Sequence, residues 1–545
     1  MGDLGARPAA MSGTYDYVIV GGGTAGCVLA SRLSADPANR VLLLEAGGSG
    51  GRLRMRMPLG FPALKDDPAT DWCYSTEPEP HAAGRRLPRV HGKGLGGSSS
   101  INGMTALRGH PLDYDEWRAL GLAGWGHADL LPYFRRAETS WRGAGPLHGG
   151  DGPWTLMPAA PDPLRDAVLE AAHATGRRAV ADFDDGDPEG VGMPDVSIAG
   201  GERASAYRCY LAPVLHRANL TVRTGARALR LIVGKSRVLG VEYRRRGETC
   251  AVHAGREVVL CGGAYNSPQL LMLSGIGDVD ALRAAGVEPA HHLPGVGRNL
   301  QEHASVPLRF AATTRNTFHR QLRVDRAAVS VLRWGLFRSG PMTRLPLAAM
   351  AYHRTREGLD RPDIQVIYSS GRLDDRLWFP VLRPGLGHFI SAGIAVARPA
   401  SRGWVKLRSA DPEAPPRIQL NLLAEARDRV ALREGLKAQR DFFRAAPLAS
   451  LVGAEVMPGP ATATDAEIDA RLPGIAGAAH HPAGTCAMGT GDEAVVDAEL
   501  RVRGLAGLRI ADASVMPRLV GANTYATVIM IGEKAADLIL GKAAA

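Results

Sequence analysis

Apolar positions in this 545-residue chain gather in short continuous runs near both ends, and in runs broken by Pro between them. Residues 15–20, Tyr-Asp-Tyr-Val-Ile-Val, predict a buried strand. That strand enters Gly21-Gly-Gly-Thr-Ala-Gly26, and helical spacing then continues to Leu33. A second apolar run over 41–44 ends at Glu45. Strand, Gly-rich turn, helix and strand within about 30 residues make a βαβ unit. Further strands are expected at 220–223, 238–243 and 257–260, the last leading into a short helix over 268–273. From 306 to 475 the pattern predicts strands at 364–368, 388–397 and 404–407, and one long helix near 424–443. The end returns to α/β character, with a strand at 508–511 and a helix over 524–540. Residues 1–13 are Gly/Ala-rich and expected to be a frayed tail.

The expected fold is therefore mixed α/β: a discontinuous Rossmann-type domain and a second domain carrying an antiparallel sheet. The nucleotide-binding parts are placed at 13–155, 200–305 and 476–545, and the substrate parts at 156–199 and 306–475.

Composition removes several classes. Hydrophobic residues at 45% and charged residues at 22% exclude wholesale disorder. Six cysteines in a chain this long are no disulfide scaffold. No apolar run is long enough to span a bilayer, and the first residues lack the pattern of a secretory signal, so a cytoplasmic protein is expected. The net charge of +10 invites a nucleic-acid reading. Yet only seven of the 65 basic residues are Lys, and the Arg are spread along the whole chain without interleaved aromatics. No nucleic-acid partner is expected. The His pairs 291–292 and 480–481 are adjacent, and the cysteines form no CxxC, so no metal site is expected. Gly47-Gly-Ser-Gly-Gly51 matches the nucleophile elbow of hydrolases, but a Gly-rich loop with no helix after it explains the run better.

Gly21-x-Gly23-x-x-Gly26 fits the dinucleotide fingerprint. Gly21 serves the tight turn, Gly23 lets the backbone approach a pyrophosphate, and Gly26 lets helix and strand pack closely. Thr24 and Ala25 open the helix whose N–H groups face the phosphates. Glu45, 19 residues after Gly26, is placed to accept from ribose hydroxyls, with Ala46 beside it. The fingerprint alone does not separate NAD from FAD. A second run, His91 to Met104, holds five Gly and three Ser, a backbone suited to wrapping phosphate or lining a flat ring.

Gly92-Lys-Gly-Leu-Gly-Gly-Ser-Ser-Ser-Ile-Asn102 resembles the first signature of the glucose–methanol–choline (GMC) family of flavin oxidoreductases. Gly263-Ala-Tyr-Asn-Ser-Pro-Gln-Leu-Leu-Met-Leu-Ser-Gly-Ile-Gly277 is similar to the second. Asp113 to Trp117, Leu293 to His303 and Gly507 to Pro517 match further family segments, in order, within a resemblance that covers 15–540. The resemblance implies FAD, held by the fingerprint and by Gly92, Gly96, Gly97, Ser98, Asn102, Gly103, Met104, Val222, Asp512, Ala513, Asn523 and Thr524.

The resemblance also implies the chemistry. His481, in His-Pro-Ala-Gly-Thr485, matches the active-site histidine, and Asn523 the position of a second His or an Asn. His titrates near neutrality, so it suits removal of an alcohol proton as hydride leaves for flavin N5; an amide can hold the alcohol oxygen. His480 is read as pocket wall and Cys486 as a packing residue. Some members attach FAD through a His where this chain has Ile101, so non-covalent FAD is expected. Tyr525 replaces the second Asn of the family's Asn-x-Asn. The expected activity is oxidation of an alcohol, primary more than secondary: aryl, aliphatic, choline-like, or a sugar or amino-sugar hydroxyl. O₂ or a quinone-type acceptor then reoxidises the flavin in a monomer or homodimer. A hydroxynitrile lyase or a light-driven decarboxylase on the same fold is the alternative.

Overall fold

The computed structural model describes residues 10–542 apart from 373, 374 and 381, and no side chain of 10–13. In chain order the elements that build the site are β1 (Ala10–Val20), α1 (Thr24–Leu33), β2 (Val41–Leu44), β3 (Leu220–Arg223), β4 (Ala226–Val233), β5 (Val238–Arg245) and β6 (Glu248–Leu260). They continue with α2 (Gly263–Leu273), β7 (Ala304–Ala312), α3 (Val324–Phe337), β8 (Ala349–His353), β9 (Ile364–Ser369), β10 (Phe389–Val396), α4 (Ala426–Arg444), β11 (Val452–Met457), β12 (Leu508–Ile510) and α5 (Tyr525–Leu540).

The first sheet has the order β3-β2-β1-β6-β5-β4, with β12 also paired to β6. β3, β2, β1, β6 and β12 are parallel, and β4 and β5 add an antiparallel meander. Val18, Ile19 and Val41 to Leu43 are fully buried, as a parallel sheet covered on both faces requires. One cover is α1 packed on α5: the invariably small contact is Gly532, where a Cβ would lie 3.0 Å from Val28. Of the expected tail, 1–9 lies outside the described residues, and the backbone of 10–13 belongs to β1. β6 pairs with both β1 and β5, which explains why it begins nine residues before the expected strand.

The second sheet runs β11-β7-β10-β9-β8 and ends in two short strands at 190–192 and 179–180. Its core pairings are antiparallel. One face packs on α4: Phe310 meets Phe443, Tyr368 donates to Gln439 Oε1 at 2.6 Å, and Gly435 sits against Ile364 and Ile394. The other face looks into the cavity described below. β7 starts at Ala304, and 477–478 pairs with it, so the second sheet extends two to three residues into the segments assigned to the first domain. A four-residue helical turn, Leu53–Arg56, does follow the Gly47–Gly51 run, and Ser49 there only accepts from Gly51 N–H.

Candidate active site

The parallel strands end in step. Val20 pairs with Leu44 and Leu260, and Leu260 pairs with Ile510. Gly21, Glu45, Gly262 and Asp512 therefore leave the sheet at one carboxyl edge, where open α/β sheets bind ligands. A cavity of about 920 Å³ opens at this edge and reaches the uncovered face of the second sheet. Gly21 has φ +104°, and a Cβ there would lie 2.5 Å from the Cys261 carbonyl oxygen. Gly97, φ +51°, lies against Gly23, where a Cβ would come within 2.8 Å of Gly23 Cα. Gly23 is the N-cap of α1 and supplies no capping side chain, so the first N–H groups of the helix await another acceptor.

Glu45 is built into this edge. Its Oε2 accepts from Gly22 N–H at 2.7 Å, and its Oε1 from Gly47 and Gly94 N–H at 2.7 and 3.0 Å. Burial pushes its carboxyl above the usual range, against those three donors. A carboxylate offers about four acceptor positions, which leaves one for a ligand hydroxyl. Asp512 is more fully used: Oδ2 accepts from Gly263 N–H and the Ser267 hydroxyl, and Oδ1 from Ser514 N–H. The 92–104 loop is held from below by Arg203, only 1% exposed. Its Nη1 donates to the backbone and side-chain oxygens of Asn102 at 2.7 Å, and its Nε to the Met55 carbonyl. Burial lowers its pKa to about 9. Its Nη2 is buried without a hydrogen-bond partner among the described residues.

At the other end of the cavity stand His481 and Asn523, with His480 beside them. His303 Nε2 lies 3.0 Å from the Val520 carbonyl, which can only accept, so this nitrogen carries the hydrogen. Burial holds His303 down to about 4, so the ring is neutral and its Nδ1 is an acceptor. His481 Nδ1, 2.9 Å away, must then donate to it. The lone pair of His481 is left on Nε2, where Asn523 Nδ2 donates to it at 3.1 Å. Gln365 Nε2 donates to Asn523 Oδ1 at 3.3 Å and fixes which end of the amide meets the histidine. Glu302 holds the frame: Oε1 accepts from the backbone N–H of His481 and His303, and Oε2 pairs with Arg89 at 3.2 Å. Burial, then the neighbouring His303, keeps His481 well below the ordinary histidine range.

Most residues expected from the sequence line this one cavity: Gly21, Gly23, Thr24, Ala25, Glu45, Ala46, Gly92, Gly97, Ser98, Asn102, Gly103, Met104, Asp512, Ala513, Thr524 and the His481–Asn523 pair. Three do not. Gly26 serves packing, since a Cβ there would lie 2.0 Å from the Gly21 carbonyl oxygen. Gly96 serves the turn, with φ +90° and its N–H on the Gly22 carbonyl. Val222 lies inside β3, paired with Leu43, and the wall nearby is made instead by Ala226, Arg227 and Ala228 of β4. Tyr525 fills its place cleanly: its hydroxyl donates to the Ala204 carbonyl at 2.9 Å and its ring meets Trp154 edge-on. Ile101 is buried against Met55 and Leu64 and lines the cavity. Cys486 is fully buried. Arg203, Glu302, His303 and Gln365 were not singled out in the sequence. His303 stood in a family segment without a role; the others carried no local signal.

Models of the GMC oxidoreductase family match residues 15–305 and 399–532. The chain belongs to this family. Human mitochondrial choline dehydrogenase is 40% identical over 99% of this chain and 93% of that protein. The crystal structure of pyridoxine 4-oxidase from Mesorbium loti superposes with a TM-score of 0.86 at 34% identity, covering 96% of this chain and 98% of that one. An Aspergillus oryzae formate oxidase, in a study of FAD modification, gives a TM-score of 0.90 at 28% identity over 98% and 99% of the two chains. As a GMC oxidoreductase the chain is a FAD-dependent alcohol oxidoreductase. The glycine cradle, the uncapped α1 and the orphaned Arg203 nitrogen suit a large anionic cofactor. Among the described residues no helix is long and apolar enough to cross a membrane.

Proposed function

We propose that the chain oxidises a primary alcohol, with His481 as the base and Asn523 as the group that holds the alcohol oxygen. The observation that carries this reading is the line His303–His481–Asn523, which leaves the His481 lone pair on the nitrogen nearest the amide. An alcohol oxygen that replaces their mutual hydrogen bond can donate its proton to Nε2 and accept from Nδ2. FAD, when bound, supplies the acceptor for the hydride released by the carbinol carbon. The turn at Gly21–Ala25 and Glu45 would hold its dinucleotide half, and the 92–104 loop with Ala513 and Thr524 the remainder. Ile101 carries no nucleophilic atom, so the cofactor is dissociable at that position. Choline, the substrate named for the human relative, is one candidate class; aryl and aliphatic alcohols and sugar hydroxyls are others.

The test is anaerobic mixing of holoenzyme with a panel of alcohols while the flavin absorbance is followed. Bleaching by an alcohol is expected, and His481→Ala should slow it about 10²–10⁴-fold. Admitting air afterwards separates O₂ from a quinone-type acceptor. A bound flavin that no alcohol bleaches would overturn the reading.

A further inference from the structure

The registers of β7, β10 and β9 set nine cavity-lining residues in three rows. Ser305, Ala395 and Gln365 form the first; Pro307, Gly393 and Ile367 the second; Arg309, Ser391 and Ser369 the third. The first row adjoins the reactive pair, because Gln365 holds Asn523 and Ser305 follows His303 by two residues. The second row has no polar side chain. Its centre, Gly393, is open, since a Cβ there would meet nothing within 4 Å. The third row is made of donors. The hydroxyls of Ser369 and Ser391 are buried and have no hydrogen-bond partner among the described residues, and Ser369 is only 5% exposed. They lie directly across from one another on adjacent strands.

Buried hydroxyls without partners are disfavoured unless something else satisfies them. Two side by side on a cavity wall, next to a guanidinium in register, mark a place for oxygen atoms of a ligand. The carboxylates that line the cavity do not compete for it. Glu45 and Asp512 belong to the dinucleotide edge, Asp375 holds His319 Nδ1 at 2.9 Å, and Asp66 is exposed. On each strand the third row lies four residues from the first, roughly 13 Å at about 3.3 Å per residue.

We propose that Arg309, Ser391 and Ser369 form a subsite for a carboxylate, and that the alcohol oxidised is a hydroxy carboxylic acid with an apolar spacer. This rests on the reading of His481 and Asn523 as the reactive pair. The carbinol is oxidised in the first row, the spacer lies over Gly393 and Ile367, and the carboxylate takes no part in the redox step.

Holoenzyme, checked for FAD content, is mixed anaerobically with ω-hydroxy carboxylates of graded length, with the 1-alkanols and α,ω-diols of matching length, and with choline. At the best length the hydroxy acid should exceed the alkanol in kcat/KM by about 10–100-fold, mainly through KM, with the diol between them. Arg309→Met should bring that ratio close to one, and Ser369→Ala/Ser391→Ala should lower it about 10-fold. Equal bleaching by alkanol and hydroxy acid at every length overturns the subsite and leaves the His481 reading standing. So does faster bleaching by choline than by any hydroxy acid. No bleaching by any of them, with FAD bound, overturns the reading on which the subsite rests.

Discussion

A histidine acts as a base only while its accepting nitrogen is bare, and two features secure this for His481. Its Nδ1 hydrogen is committed to His303, and burial followed by the His303 neighbour lowers its affinity for a proton. Protonation would disable it, so the loss of activity belongs on the acid side. For a group held well below the ordinary value of 6.5, kcat/KM should stay level as pH falls from 8 to about 6.5 and decline only beneath that. A pH–rate profile with its acid limb above pH 7 would contradict this environment for the base. His480, next in sequence, has φ +65°, a left-handed conformation uncommon outside glycine. This turns it onto the cavity wall next to Arg89, whose Nη2 is 3.4 Å from its Nδ1.

Between elements, contact distances set the limits. α1 can approach the β1 turn only because Gly26 has no side chain. Gly26→Ala should lower stability by about 1–3 kcal/mol through overpacking, and lose bound FAD with it, as read by thermal unfolding and flavin content. A second junction joins the 138–140 strand to the 182–184 loop. There His148 bridges Asp182 at 2.7 Å and Glu138 at 2.8 Å, and Arg108 joins Glu138 at 2.7 Å. The bonds to Asp182, then Glu138, raise His148 to about 9. A histidine pKa raised by folding gives stability that is full below its unfolded value near 6.5 and is lost as pH rises through about 9. The melting temperature should therefore fall between pH 6.5 and 9, and His148→Gln should flatten that slope.

On the scale of the whole molecule, the surface near the second sheet is unusually apolar. The inner face of α3 buries Ala327 and Trp334 against Leu59, Phe61 and Met342. Its outer face leaves Val329, Leu332, Leu336 and Phe337 between 63% and 72% exposed. Contiguous exposed apolar surface promotes association. Leu332→Gln/Leu336→Gln should leave the melting temperature almost unchanged and reduce self-association in light scattering, since neither side chain is packed. An unchanged scattering profile would mean that this face does not drive contacts.

The βαβ unit, the glycine turn and the 508–510 strand were legible because each depends on neighbours in sequence: continuous apolar runs, a close turn and a helix start. Other elements were hidden for local reasons. β7 contains Pro307, which argues against a strand, and Arg227 and Arg230 interrupt the pattern of β4; with β4 unseen, Val222 was taken for the wall that Ala226–Ala228 form. His481 and Asn523 could be read from motifs, whereas the groups that orient them could not. His303 is 178 residues from His481, and Gln365 is 158 from Asn523. The sequence by itself determined the kinds of chemistry present and the glycines that the backbone needs. Only the tertiary structure decided which histidine nitrogen is bare, which hydroxyls face the cavity and where Arg203 lies, because these follow from strand register and burial rather than from spacing along the chain.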